Sequence, residues 1–392
     1  MRNSLLVLAS VGLGFCAAAC GAGLPWPLPP AAGVLSGHFQ FSPQSPSLNW
    51  QAAIKPAGEG GLALTLSLEG AGGRIRAHGQ LAATGEGDWQ IDEGSVDLAP
   101  WFTAVTDKFP LLAGWQASGT LSLAGHGTLR NGSVDGAIAL TLENGAMRND
   151  AKKIAFENIS LHLALAGLQP RRTEPGQEFT VGRITGAGAE LRDLKISFAL
   201  APGDEIRVAS AEVTGFGGKF LAEPFTFNPA QPQLTLTGRA VDLDLAQIFA
   251  SLDPEQLRIE EAIGRVSGRI TLHIDANDVR LGQGGLVMRK GETARLVFSP
   301  TPGLFTSYVP PQVRKYYPGF ESIELKRLPL VMKAFRIRFY PDGEQGERSV
   351  LVQLEGDSPN PRLPAPISEE ININGPLREG IQAYLEMRKR FK

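Results

Sequence analysis

Cysteine is almost absent from this sequence. The chain of 392 residues contains two cysteines, Cys16 and Cys20, and both lie among its first twenty residues. The rest of the chain therefore has no thiol for a disulfide framework, a thiolate metal site or a cysteine nucleophile. This distribution supports export of the protein, although it does not require it.

An excess of positive charge is also missing. The formal net charge is −2, and no block rich in lysine and arginine is interleaved with aromatic residues. A chain of this kind has no global field that would attract nucleic acid, so the sequence argues against nucleic-acid binding. After residue 20 no apolar run approaches the length of a transmembrane helix. The sequence therefore predicts a main part that lies outside a membrane or against its surface.

The motifs that usually announce an active site or a metal site are missing as well. The five histidines stand far apart in sequence and fall in strand-like stretches: His38, His78, His126, His162 and His273. The segment Asp275–Asp278 resembles the start of a calcium loop but lacks the carboxylate of the twelfth position. Glycine-rich segments at 215–218 and 282–285 lack the Gly-Lys-Ser/Thr ending of a phosphate loop. The sequence thus predicts no enzyme, no metal and no cofactor, although catalytic residues from distant positions would escape this search.

The first twenty residues have the composition of a secretory signal. Arg2 precedes an uninterrupted apolar and small-residue run, Ser4–Ala19, and the chain becomes rich in glycine and proline after Cys20. The sequence Ala17-Ala18-Ala19-Cys20 resembles a bacterial lipoprotein cleavage box, except that such boxes usually carry leucine where Ala17 stands. Three interpretations remain open: lipidation of Cys20, an uncleaved N-terminal anchor, and plain cleavage near Ala19. The first two predict a periplasmic protein anchored to a membrane by its N-terminus.

The strongest pattern in the rest of the chain is an alternation of apolar and polar residues. One example is the segment 62–69, in which less apolar residues alternate with Leu62, Leu64, Leu66 and Leu68. Successive side chains of a strand point to opposite faces, so each such segment has one apolar and one polar face. The alternation recurs along most of the chain, between glycine-rich turns. It predicts an all-β protein built on an antiparallel sheet with one face in water.

Helix signals are few. A short helical turn is predicted within Pro100–Phe109, and a second helix over Asp244–Leu252 after a capping aspartate. The segment 376–391 is the best candidate, because it begins with proline and ends with arginines and lysines that suit the helix dipole. The sequence predicts three segments: a targeting segment 1–20, an extension of β-hairpins 21–95 and a groove domain 96–392.

The chain from Val96 onward resembles the YdbH branch of the AsmA-like proteins, once labelled a "dicarboxylate transport" domain. Single cues are unspecific, and their order carries the resemblance: Val96-Asp97-Leu98-Ala99-Pro100-Trp101, Gly119-Thr120-Leu121-Ser122-Leu123, Pro175-Gly176-Gln177, Gly217-Gly218-Lys219, Val241-Asp242-Leu243, Gly284-Gly285-Leu286, Gly303-Leu304 and Ile371-Asn372-Ile373-Asn374-Gly375. The dicarboxylate label fits poorly, since a transporter of small anions needs several membrane spans.

The resemblance implies a long, curved, taco-shaped sheet with a hydrophobic groove. It also implies an inner-membrane anchor and phospholipid transport to the outer membrane, with a small outer-membrane lipoprotein that extends the groove. Relatives are longer than this chain and usually carry a clear N-terminal membrane helix, whereas this N-terminus has the cysteine box. Both departures concern how the envelope would be bridged and leave the groove untouched.

Two functions of different classes are therefore predicted. In the first, an envelope protein binds or conducts phospholipid along a groove lined by residues of one phase in neighbouring strands: Leu121, Leu123, Ile138, Leu140, Leu142, Leu161, Leu163 and Leu165. The alternative is a structural or assembly factor that pairs its strands with a partner. Periodicity alone does not separate an open groove from a sandwich or barrel with a sealed core.

Overall fold

The computed structural model describes residues 32–374, apart from 41–46, 71, 107–113, 131–132, 152, 169, 187–188, 204, 229–232, 252–258, 275–278, 304–305, 309, 315–317, 327, 341–347 and 358–366. Within these residues the chain is mostly strand, as the alternation predicts. Cys20, the targeting segment and the predicted C-terminal helix 376–391 lie outside the described residues.

The described residues form 23 strands that belong to one hydrogen-bonded sheet. The strands up to residue 186 are β1 (Gly33–Gln40), β2 (Ser47–Pro56), β3 (Leu62–Gly70), β4 (Gly73–Leu81), β5 (Gly87–Asp97), β6 (Gln116–Arg130), β7 (Ser133–Asn149), β8 (Ile154–Leu168), β9 (Arg171–Thr173) and β10 (Gln177–Gly186). The later strands are β11 (Ala189–Ala201), β12 (Glu205–Gly215), β13 (Gly218–Ala222), β14 (Phe225–Phe227), β15 (Leu234–Asp244), β16 (Ile259–Ile263), β17 (Arg265–Ile274), β18 (Val279–Leu281), β19 (Gly284–Met288), β20 (Ala294–Phe298), β21 (Leu330–Phe339), β22 (Arg348–Asp357) and β23 (Ile367–Asn374).

The chain divides into two compact units. Of the described residues, unit 1 holds those within 32–187, 193–210 and 224–231, and unit 2 holds those within 188–192, 211–223 and 232–374. In unit 1, strands β1 to β8 follow one another as an antiparallel meander, and β8 also pairs with β9 and β10. Each hairpin joins neighbours in sequence, so the half-apolar strands of the sequence stack with their apolar faces on the same side.

Unit 2 has a less regular strand order. Its main run is β13, β15, β17, β19, β21, β22 and β23, and all of these pairs are antiparallel. Strand β16 pairs with β20, and β20 pairs with β21. The predicted all-β antiparallel fold is confirmed in both units, whereas the predicted domain boundary after residue 95 stays a prediction.

Short helices interrupt the strands. They are α1 (Leu98–Thr106), α2 (Leu245–Ser251), α3 (Pro311–Arg314) and α4 (Pro318–Glu324), with 3₁₀ turns at Gly58–Gly60 and Thr306–Tyr308. The first two confirm the helices predicted near residues 100 and 245. The first begins two residues earlier and ends three residues earlier than predicted, and the second is one residue shorter at each end. None of the helices in the described part of the chain is long and apolar enough to span a membrane.

The corner from strand to helix is built in the same way in the two units. Before α1, the amide of Asp97 donates to the carbonyl of Gly72 at 2.9 Å, and its Oδ1 accepts from the amide of Ala99 at 3.1 Å. Before α2, Asp244 makes the corresponding bonds at 2.7 and 2.8 Å, to the carbonyl of Phe216 and from the amide of Ala246. An aspartate that accepts from an amide of the first turn satisfies a donor that the helix itself leaves unpaired.

Each unit has its own hydrophobic cluster. In unit 1 the cluster runs from Leu48 in β2 to Val181 in β10, and Trp101 of α1 packs into it. In unit 2 the cluster includes Leu245 of α2, Val266 of β17 and Met332 of β21. A sheet with one polar face can bury its other face only against its own strands or against added elements, and here the helices supply part of that cover.

Candidate functional site

The eight residues predicted to line a groove lie on one face of three neighbouring strands. The backbone register places them in rows across β6, β7 and β8: Leu121 opposite Leu142 and Leu142 opposite Leu161, then Leu123 opposite Leu140 and Leu140 opposite Leu163, then Ile138 opposite Leu165. All eight belong to the hydrophobic cluster of unit 1. We call this set the apolar ladder.

The apolar ladder is not buried evenly. Leu121, Leu123, Ile138, Leu140, Leu142 and Leu165 are each at most 9% exposed. Leu161 and Leu163 on β8 are only half-buried, although they point to the same face. The ladder is therefore covered by neighbouring side chains along β6 and β7 and is partly open to solvent along β8.

A tryptophan occupies the place that a ladder side chain would take on β6. Gly125 stands opposite Ile138, and Trp89 of β5 lies against it. A Cβ at Gly127 would lie 2.0 Å from the carbonyl oxygen of Asp135 and 2.7 Å from the Trp89 ring. One at Gly136 would lie 2.2 Å from the carbonyl oxygen of His126 and 2.8 Å from the ring. Glycine is thus required because the facing backbone, and with it the indole, comes too close for a Cβ. Trp89 was not predicted from the sequence. The signal that could have indicated it is the set of glycines on the facing strands: Gly125 and Gly127 on β6 and Gly136 on β7.

The indole N–H of Trp89 is an unusual polar group in this cluster. Its Nε1 is buried and has no hydrogen-bond acceptor among the described residues. A buried donor without a partner costs about 1–3 kcal/mol, so this indole lowers the stability of the fold.

The opposite face of the sheet is polar, as β3, β4 and β5 show. Arg74 and Arg76 of β4 lie within salt-bridge distance of Glu69 on β3 and of Glu93 on β5, with side chains about half exposed. Exposed ion pairs of this kind contribute between zero and about 1 kcal/mol each. Their main effect is to make this face hydrophilic, and their contribution to the stability of the fold is small.

The described residues offer little for catalysis or metal binding. No group of three or more histidine, cysteine or acidic side chains could hold a metal ion in the part of the chain that the structure describes. His78 contacts Asp92 at 2.8 Å and His273 contacts Thr235 at 3.1 Å, both on exposed faces. A hydrogen bond from Lys326, together with its charge, lowers the pKa of Glu260, and this carboxylate is exposed in unit 2.

Comparison with known proteins finds a match to a protein family. No curated protein and no solved structure matches the chain. Residues 102–292 match the family described as YdbH-like, intermembrane phospholipid transport protein YdbH. The matched segment contains β6 to β19 and with them the whole apolar ladder. Over residues 102–292, just under half of its length, this chain is similar to the YdbH-like family of intermembrane phospholipid transport proteins.

Proposed function

We propose that unit 1 holds or conducts phospholipid by its apolar ladder, with acyl chains along the leucine rows and headgroups in water. The observation that carries this proposal is the combination of continuous apolar rows with the partly solvent-exposed apolar face at Leu161 and Leu163 on β8. An acyl chain laid on this part of the face would cover apolar surface that now meets solvent. The match to a family of intermembrane phospholipid transport proteins supports lipid as the occupant.

The chemistry of the rows suits a conduit. Burial of a methylene stabilises by about 0.8 kcal/mol, so a partly covered chain is retained without any polar contact. The two half-buried members of the ladder, Leu161 and Leu163, are both leucine, so neighbouring positions on β8 offer similar contacts. The binding free energy of a lipid would therefore change little from one position to the next, so no single position would hold the lipid in place.

Lipid carried by the purified protein is the direct test. We expect mass spectrometry of the full-length protein, isolated in a mild detergent, to detect phospholipid at about one molecule or more per chain. The matched control is an unrelated envelope protein of similar size, purified in the same detergent. Equal phospholipid in the two samples would contradict the proposal, because such lipid would come from the detergent micelles.

The location of the protein extends this proposal. The family places its members in intermembrane transport, and we propose a periplasmic body whose N-terminus is anchored at the inner membrane, with Cys20 as a lipidation candidate. A partner of the kind that the resemblance implies, a small outer-membrane lipoprotein, would then continue the sheet.

Anchoring is tested at Cys20. If Cys20 is lipidated, Cys20→Ala is expected to abolish labelling by a radioactive fatty acid and to release the protein from the membrane fraction. Membrane association of Cys20→Ala, with no label in either protein, would show instead that the apolar stretch remains as an anchor. Recovery of the parent protein from the cytosol would refute export.

Assembly by strand pairing remains a second candidate, and one observation favours it. In β1, Val34 is 62% exposed and Leu35 is 52% exposed, although adjacent residues point to opposite faces. Among the described residues β1 has a single ladder neighbour, β2. An edge strand with exposed apolar residues is a place where another β-strand can add. A protein that acts only in this way would carry no lipid in the measurement above.

A further inference from the structure

Unit 1 contains a cavity of about 530 Å³ that the apolar ladder does not use. Its lining comes from segments that are distant in sequence: the turn after β9, the end of β11, the start of β12 and β14. Most of the wall is apolar and includes Phe198, Leu200, Val208 and Phe225.

The cavity is joined to the hydrophobic cluster of the ladder through Thr173. This residue lines the cavity. In the backbone pairing of β8 with β9 it stands opposite Leu165, a member of the apolar ladder. Its hydroxyl accepts the amide of Leu200 at 2.8 Å, which fixes the turn after β9 against β11. Leu200 itself packs into the same cluster as the ladder. A molecule with an apolar tail in this cavity would therefore meet side chains of the ladder's own cluster.

Two arginines line the same cavity. Arg172 and Arg207 are exposed to solvent, and they come from different strands, β9 and β12. The Nε of Arg207 donates to Glu205 at 3.1 Å, so Glu205 takes one of its five guanidinium donors. The lining thus combines positive charge with an apolar wall. Such a lining is complementary to a ligand that joins an anionic group to a hydrocarbon chain.

We propose that this cavity is a headgroup site, in which Arg172 and Arg207 bind the phosphate of a glycerophospholipid and the apolar wall takes its first methylenes. The inference rests on the proposed function and adds to it a place at which the lipid is recognised. Inorganic phosphate has no apolar surface to bury against the phenylalanine, leucine and valine side chains of the wall. The wall therefore favours a lipid over an inorganic anion.

The test compares soluble short-chain lipids on the full-length protein. The probes are dihexanoylphosphatidylglycerol, the phosphate-free dihexanoylglycerol and inorganic phosphate, each titrated by calorimetry. We expect the double variant Arg172→Gln/Arg207→Gln to bind the phospholipid about tenfold or more weakly than the parent, because two charge-assisted contacts are lost. Its affinity for dihexanoylglycerol should not change.

Arg183→Gln is the matched control. Arg183 is an arginine of unit 1 on β10, pairs with Glu157 at 3.6 Å and is not part of the cavity lining. This variant should bind both lipids as the parent does. Equal phospholipid affinity in the parent and the double variant would overturn the headgroup site while leaving lipid binding in place. A parent that binds neither lipid would overturn the proposed function together with it. Inorganic phosphate bound as tightly as the phospholipid would show an anion site and overturn the lipid assignment.

Discussion

Replacing Leu140 by aspartate is expected to lower the free energy of unfolding by about 4 kcal/mol. Leu140 lies in the middle of the apolar ladder, between Leu123 on β6 and Leu163 on β8, and it is 9% exposed. The substitution removes buried methyl groups and places a carboxylate where no cation stands opposite it in either ladder neighbour. Substitutions of this kind belong to the small class with very large effects on stability.

Ala139→Asp is the control for this prediction. Ala139 is the preceding residue of β7, points to the opposite face and is exposed. Both variants place aspartate in a strand, so they share the unfavourable β-propensity, which amounts to at most about 1 kcal/mol. Urea unfolding followed by circular dichroism gives both free energies. If Leu140→Asp were no less stable than Ala139→Asp, water would reach the ladder and its burial would be wrong.

The largest functional effect is expected where the same face is partly exposed to solvent, on β8. Leu163→Asp is expected to reduce the phospholipid that copurifies with the protein by about tenfold, which corresponds to about 1.4 kcal/mol. Leu163 is half-buried, so its carboxylate can stay hydrated in the empty protein and costs less stability than the one in Leu140→Asp. An acyl chain laid over β8 would remove that water, and the cost of desolvating the charge then opposes lipid binding.

Ala164→Asp on the other face of β8 is the matched variant. Ala164 is exposed and lies one residue from Leu163, so the net charge and the strand are the same. Its lipid content should equal that of the parent. A folded Leu163→Asp protein that retains the parent's lipid would place the acyl chains elsewhere and remove the apolar ladder from the proposed function.

The strands were predictable because the pattern that specifies them is local. The alternation from Leu62 to Glu69 predicts β3, which spans Leu62–Gly70, because one face of the strand is wet and the other is not. The helix after Asp244 was predictable for a similar reason, since capping and the apolar side of the helix are read from a few adjacent residues.

Bulges were not predictable in this way. Between β7 and β8 the register shifts between Leu142 and Gly145, close to Asn144, whose φ of 52° lies in the left-handed region. A bulge moves the apolar phase by one residue without leaving a clear signal in the alternation. The rows of the apolar ladder stay in register because the shift falls beyond their last member.

The sequence by itself determined which side chains share a face. The phase of each strand follows from the period of two, and neighbouring hairpin strands inherit it, so the sequence alone predicts all eight residues of the apolar ladder. Only the tertiary structure decided how deeply each one is buried: Leu163 and Leu165 have the same phase in β8, yet Leu163 is half-buried and Leu165 is 4% exposed. Likewise, only the structure brought Arg172 and Arg207 to one apolar cavity. The physical reason is that phase depends on the backbone of one strand, whereas burial and charge placement depend on what distant segments bring to the same face.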